Sequence, residues 1–240
     1  MNLLALETAT EHCSVALLRV TAGGREQLAR GLHAPRQQTE LILPMVDDVL
    51  AEAGISLRDL DALAYSCGPG AFTGVRIAAA VAQGLALGAD LPVLPVSSLQ
   101  AQAQGAARVH GAGAVLACFD ARMQEVYAGA YHRDDDGLMQ PLLAEVACRP
   151  DALPDTLVGA WSAVAASSAL AVGSGSGWSS YGELLAGRLP VTLQDGDLPP
   201  DAGDVAALAL PRLRAGRAVA PELALPVYLR DDVWKKLPGR

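Results

Sequence analysis

Apolar positions along the chain fall into two alternating patterns. Short runs at Leu3 to Leu6, Ser14 to Val20 and Gln27 to Leu32 are separated by a polar turn, Glu7 to His12, and by Gly23-Gly24. They read as three strands, the first two forming a hairpin with an acid at the end of its first strand. From Thr39 to Ala53 the period changes: Ile42, Val46, Val49 and Ala53 recur at helical spacing, with Gly54 as a stop signal. Pro44 lies past the first turn, where it removes a backbone donor and predicts a kink. Leu41 and Met45 point partly away from this stripe, and the surplus apolar surface serves either extra core contact or an interface. A strand from Leu60 to Tyr65, a helix of small and aliphatic residues from Val75 to Leu87, and a strand from Leu91 to Val96 follow.

The stretch from Gly105 to Gly113 is small and glycine-rich and reads as a crossing between halves. Beyond it the opening theme returns. Val115 to Asp120, a polar turn over Ala121 to Glu125, and Val126 to Tyr131 match "LLALETATEHCSVALL" in layout, and Glu7 corresponds to Asp120. A distant internal duplication and two ordinary hairpins both satisfy this pattern. Later, Ala169 to Val172 runs into Gly173-Ser174-Gly175-Ser176-Gly177, and acidic, cap-like residues open a short helix over Pro199 to Pro211 that extends toward Gly216. The ending, "LPVYLRDDVWKKLPGR", has no clear period and reads as an extended tail.

Charge narrows the functional classes. The 240 residues carry 18 basic and 26 acidic side chains, a net charge of −8, which is the wrong sign for holding a polyanion by phosphate neutralisation alone. Residues 211–240 hold seven of the basic residues against three acids, so this segment is +4 and the remainder −12; a solvated basic tail is its plain reading. The four cysteines (Cys13, Cys67, Cys118, Cys148) lie far apart, and the N-terminus lacks the basic start and cleavage site of a signal peptide, so reduced thiols and a cytoplasmic location are expected. The apolar run from Ile77 to Ala89 is too short to span a bilayer.

Chemistry, if present, gathers around "SCGPGAFTGVR". Gly68-x-Gly70-x-x-x-Gly74 misses the dinucleotide fingerprint by one residue, and no lysine follows the last glycine, so it is neither a Rossmann nor a Walker loop. It delivers the chain into a helix near Thr73 and Gly74, where free amides face an anion or Thr73 caps the helix. The four histidines are isolated, with no zinc spacing, and Cys67 has no evident base, so neither a metal site nor a cysteine nucleophile is expected. Two strand–acid–strand hairpins plus a glycine-rich strand–helix turn are the layout of an actin-like (ASKHA, RNase H-like) α/β fold with two related subdomains. In that layout Glu7, Thr8, Thr10, Gly68, Gly70, Thr73, Gly74, Asp120 and Arg122 surround a vestigial nucleotide cleft. Phosphoryl transfer there needs carboxylates that hold Mg²⁺; Glu7 is longer than the Asp usual at this place, and the only two lysines, Lys235 and Lys236, lie near the C-terminus.

"LLALETATEHCSVALL", "QQTELILPMVDDVL", "ALAYSCGPGAFTGVRIAAAVAQGLALG", "DARMQEVY" and "PVYLRDDVWKKLPG" together resemble the TsaB (YeaZ) family nearly end to end; only residues 135–170 add nothing. The resemblance implies a non-catalytic subunit that activates a TsaD-like partner in making N6-threonylcarbamoyladenosine in tRNAs reading codons that begin with A. It also implies a TsaE-like ATPase in the assembly, homodimers where the partner is absent, and tRNA contact only through the complex. No metal and no tightly bound cofactor are expected, only weak ATP or ADP at the subunit boundary. Leu41, Met45, Arg76 and the helix read over 75–87 are the expected partner contacts. The expected subdomains are residues 1–107, completed by 215–240, and residues 108–214. An active actin-like small-molecule kinase and a metal-dependent, glycoprotease-like peptidase are the alternatives.

Overall fold

The computed structural model of the chain describes residues 1–230; residues 231–240 of the expected extended tail, with the basic Lys235, Lys236 and Arg240, lie outside them. The first half comprises strands β1 (Asn2–Glu7), β2 (His12–Thr21) and β3 (Gly24–His33), helix α1 (Gln38–Ala53), β4 (Ala62–Gly68), α2 (Phe72–Ala89), β5 (Val93–Ser97) and α3 (Ser98–His110). The second comprises β6 (Ala114–Arg122), β7 (Glu125–Arg133), β8 (Met139–Pro141), β9 (Val146–Cys148), α4 (Asp155–Ser167), β10 (Ala171–Ser174), α5 (Ser176–Ala186), β11 (Leu193–Asp195) and α6 (Ala202–Arg214).

The two sheets share one topology. In the first the order is β3-β2-β1-β4-β5, with β1 antiparallel to β2 and parallel to β4. In the second it is β8-β7-β6-β10-β11, with β6 antiparallel to β7 and parallel to β10. The helices fall at matching places, α2 after β4 and α5 after β10. Of the two readings of the repeated hairpin, this correspondence favours duplication, because two ordinary hairpins would not also share the helices and parallel strands around them. Two such halves are the expected actin-like α/β arrangement.

Each sheet is buried on both faces, which is why its central strands are nearly continuous apolar runs. On the first sheet Leu4, Leu6, Val15 and Leu63 pack under α1 and α2, while Leu3, Ala5, Ala16 and Leu94 pack against α6. On the second, Leu116, Cys118 and Val126 pack with α4 and α5, while Val115, Ala117 and Phe119 pack against α3. The last helix of each half thus covers the sheet of the other. Residues 202–214 pack with the first sheet, and α3 spans the expected division at 107. Periodicity reports which face of a helix is apolar and not which sheet that face meets.

Helix α3, in the segment read as a crossing, was hidden by its composition. "SLQAQAQGAARVH" alternates small residues and glutamines because the helix is buried all round as far as Ala107. Its glutamine amides reach into the second half: Gln100 donates to Met139 O, Gln102 to Ser174 Oγ and Leu198 O, and Gln104 to Gly137 O. Each of these amide nitrogens finds an acceptor, which makes its burial tolerable; Gln102 Oε1 is left without a partner. Gly105 lets α6 approach, since a Cβ there would lie 3.0 Å from Asp204 Oδ2.

Candidate functional site

Between the halves lies a cleft of about 1420 Å³. One wall is the β1–β2 turn (Ala9, Thr10, Glu11), the loop Pro69–Ala71 and the start of α2 (Phe72, Val75, Arg76). The other is the β6–β7 turn (Asp120, Ala121, Arg122), the start of α5 (Ser176, Ser179, Ser180) and residues 196–200. Gln102 of α3 reaches the cleft floor.

The expected site residues divide sharply. Thr10, Gly70, Asp120 and Arg122 line the cleft, as does Arg76, which was expected at the partner surface. Glu7 does not. It is fully buried at the end of β1, its Oε1 accepts the Ala9 amide, and its Oε2 has no hydrogen-bond partner. The hydroxyl of Ser66 on β4 stands near Glu7 but makes no well-formed hydrogen bond. Burial raises the Glu7 pKa from 4.5 to about 7, only partly opposed by the Ala9 amide and Ser66.

The glycine loop is closed against the hairpin. Thr8 is buried and its Oγ1 donates to Gly74 O at 2.8 Å. A Cβ on Gly74 would lie 2.0 Å from Thr8 O, one on Gly70 would lie 2.4 Å from Ala9 O, and the Ala71 amide donates to Ala9 O. A phosphate group has no room between these backbones. Gly68 adopts φ +106° and packs under Val227. Thr73 is exposed and caps nothing: α2 begins at Phe72, after Ala71, without a side-chain cap. These residues therefore do not fit a tightly held Mg²⁺–nucleotide. Among the described residues, no three His, Cys, Asp or Glu side chains gather to hold a metal.

Asp120 lines the cleft two residues before the end of β6. Its Oδ1 accepts the Arg122 amide at 2.8 Å, and its own amide donates to Ser176 Oγ at the start of α5. The β6–β7 turn then places Arg122, Met123 and Gln124 successively in the left-handed region, with φ of 63°, 55° and 61°.

The expected partner contacts also divide. Met45 is a core residue, its Sδ 3.9 Å from Cys13 Sγ, and Leu41 is half-buried against the same core. The helix continues unbroken through Pro44, and its exposed face carries Leu43 and Pro44 among acids. The free apolar surface lies on α2, the helix that contains the expected 75–87 segment. This is the one described helix long and apolar enough to cross a membrane, longer than the run read from sequence, and 33% of it is buried. One face packs on the first sheet through Val75, Ala78, Ala79, Ala82 and Ala86. The other, through Thr73, Ala80, Gly84, Leu87 and Gly88, is exposed. The signal was in the sequence, as apolar and small residues on every side of one helix.

Residues 32–159 match the family model described as "TsaD: tRNA N6-adenosine threonylcarbamoyltransferase". Two relatives, each named "tRNA threonylcarbamoyladenosine biosynthesis protein TsaB", match over the whole chain. That of Escherichia coli (strain K12) is 45% identical, with all of both chains covered, and that of Haemophilus influenzae is 41% identical, with 98% of its own length covered. The chain belongs to the TsaB family. The solved structure "YeaZ from Pseudomonas aeruginosa" superposes on this TsaB-family chain with a TM-score of 0.82 at 44% identity, over 95% of this chain and 99% of that one.

Proposed function

We propose that this chain is a non-catalytic subunit that binds and activates a TsaD-like transferase forming N6-threonylcarbamoyladenosine in tRNAs that read codons beginning with A. Membership of a family whose named relatives serve threonylcarbamoyladenosine biosynthesis supports the pathway. The observation that carries the non-catalytic part is the withdrawal of Glu7. A carboxylate that is buried, and protonated over much of the range below pH 7, is poorly placed to hold Mg²⁺ opposite Asp120, and the loop beside it is filled by backbone. Any nucleotide in the cleft is then weakly held.

The docking surface is the bare face of α2, centred on Ala80, Gly84 and Leu87, with Leu43 and Pro44 on the adjacent α1. Small residues there let a partner helix approach closely. The same face serves a homodimer when the TsaD-like partner is absent, and a TsaE-like ATPase joins the heterodimer. Contact with tRNA comes through the assembly, in keeping with a net charge of −8.

The test is threonylcarbamoyl transfer to tRNA, rebuilt from purified TsaD-like, adenylate-forming and ATPase components. Product is expected only when this chain is added, and no ATP turnover is expected from the chain alone. Product formation without it, or Mg²⁺-dependent ATP turnover by it alone, overturns the reading.

A further inference from the structure

The segment after α6 does more than end the chain. It bridges to β5 through Val219 and Val93, passes over α2, and lies along β4, where Tyr65 donates to Leu225 O and the Val227 amide donates to Cys67 O at 2.7 Å. Beyond this first-half anchor it turns to the mouth of the cleft. Tyr228 meets Phe72 with ring centroids 6.3 Å apart, and the Arg76 guanidinium lies over both rings. Two residues later the chain has crossed to the opposite wall. Arg230 donates to Ala121 O at 3.2 Å, pairs with Glu125, and lies 3.8 Å from Met123 Sδ.

Those contacts surround the turn in which Arg122, Met123 and Gln124 are all left-handed. Such a conformation is strained in non-glycine residues and persists where its surroundings over-determine it. Here Asp120 holds the Arg122 amide from within, and Arg230 holds Ala121, Met123 and Glu125 from without. The halves are also tied through α3 and α6 and by the bond between Ser97 of β5 and Glu145. At the mouth, residues 225–230 touch both walls.

We propose that residues 225–230 are an intramolecular latch: Tyr228 on α2 and Arg230 on the β6–β7 turn together fix how far the cleft opens. The latch belongs to the isolated chain and needs no partner or nucleotide.

Spin labels on Thr73→Cys and Ser180→Cys, in a Cys148→Ser background, report the separation of the walls, and hydrogen exchange reports the turn. Arg230→Ala is expected to lengthen and broaden the label distance. It should also speed exchange at 121–125 by about tenfold or more, leaving β1 and β6 protected. Tyr228→Ala, which frees the other anchor, should lengthen the distance as well. An unchanged distance in either variant overturns the latch. So does faster exchange across both sheets in Arg230→Ala, which would mark general loosening and not release of one strap.

Discussion

The β1–β2 and β6–β7 hairpins occupy equivalent places in the two halves, and they treat the acid on their first strand in opposite ways. Glu7 is enclosed, with one oxygen unpartnered and its pKa raised to about 7 by burial. Asp120 stands at the cleft wall, holding its own turn through the Arg122 amide. The glycines beside them follow the same division. Gly70 and Gly74 seal the first hairpin onto α2, and Gly175 and Gly177 press the start of α5 on Cys118, yet Ser176, Ser179 and Ser180 stay open to the cleft. One topology thus carries two outcomes. The first hairpin is closed onto α2, while the second lines an open wall of the cleft.

The sharpest way to break this comparison is to prise the first seal apart. Gly74→Ala puts a methyl group 2.0 Å from a backbone oxygen that cannot rotate away, and should destabilise the chain by more than about 3 kcal/mol. Gly177→Ala meets Cys118 Cβ at 2.8 Å, and its cost should be about 1–2 kcal/mol. Gly84→Ala meets nothing within 4 Å on the bare face of α2, and should stabilise by about 0.5–1 kcal/mol. Denaturant midpoints rank the three. Equal losses at Gly74 and Gly177 would mean that the two hairpins are sealed alike.

A second break uses pH. Because the folded pKa of Glu7 is raised, the native chain binds more protons than the unfolded one between about pH 4.5 and 7. Stability should therefore fall as pH rises through that window, by on the order of 3 kcal/mol, and level off above it. Glu7→Gln keeps an acceptor for the Ala9 amide and cannot ionise. Its stability should match wild type near pH 4.5 and exceed it at pH 8. Asp120→Ala, on the open wall, should cost only about 1 kcal/mol for the lost bond to the Arg122 amide. Parallel curves for wild type and Glu7→Gln would show that Glu7 is ionised in the fold, and the contrast between hairpins would fail.

Much of this contrast could be read before the structure, but not all of it. The hairpins, α1 and α2 were legible because their apolar periods are local properties. The kinship of the halves was only half legible, since it rests on parallel pairing of β4 with β1 and of β10 with β6, contacts between residues far apart in the chain. Helix α3 was hard to read because its buried positions are small residues and glutamines, not a stripe of large apolar side chains. Glu7 looked like a site residue by position, and its withdrawal depends on how closely Gly70 and Gly74 bring α2 to the turn, a distance no spacing encodes. Met45, off the main stripe of α1, is buried against Cys13 of β2, a contact between residues far apart in the chain that helical spacing does not report.

The smallest effect on the chain itself should be the most telling about its partner. Leu87 on α2 is 60% exposed and Leu184 on the equivalent α5 is 55% exposed, so aspartate at either place should change stability by less than about 0.5 kcal/mol. If the first half is a mount for a docking helix, Leu87→Asp should weaken association with the TsaD-like subunit by tenfold or more, about 1.4 kcal/mol, because it puts a charge into an apolar contact. Leu184→Asp should leave association unchanged. Calorimetric titration of both variants makes the comparison at matched exposure and matched topology. A loss confined to Leu184→Asp would move the partner to the second half and leave the bare face of α2 without an occupant.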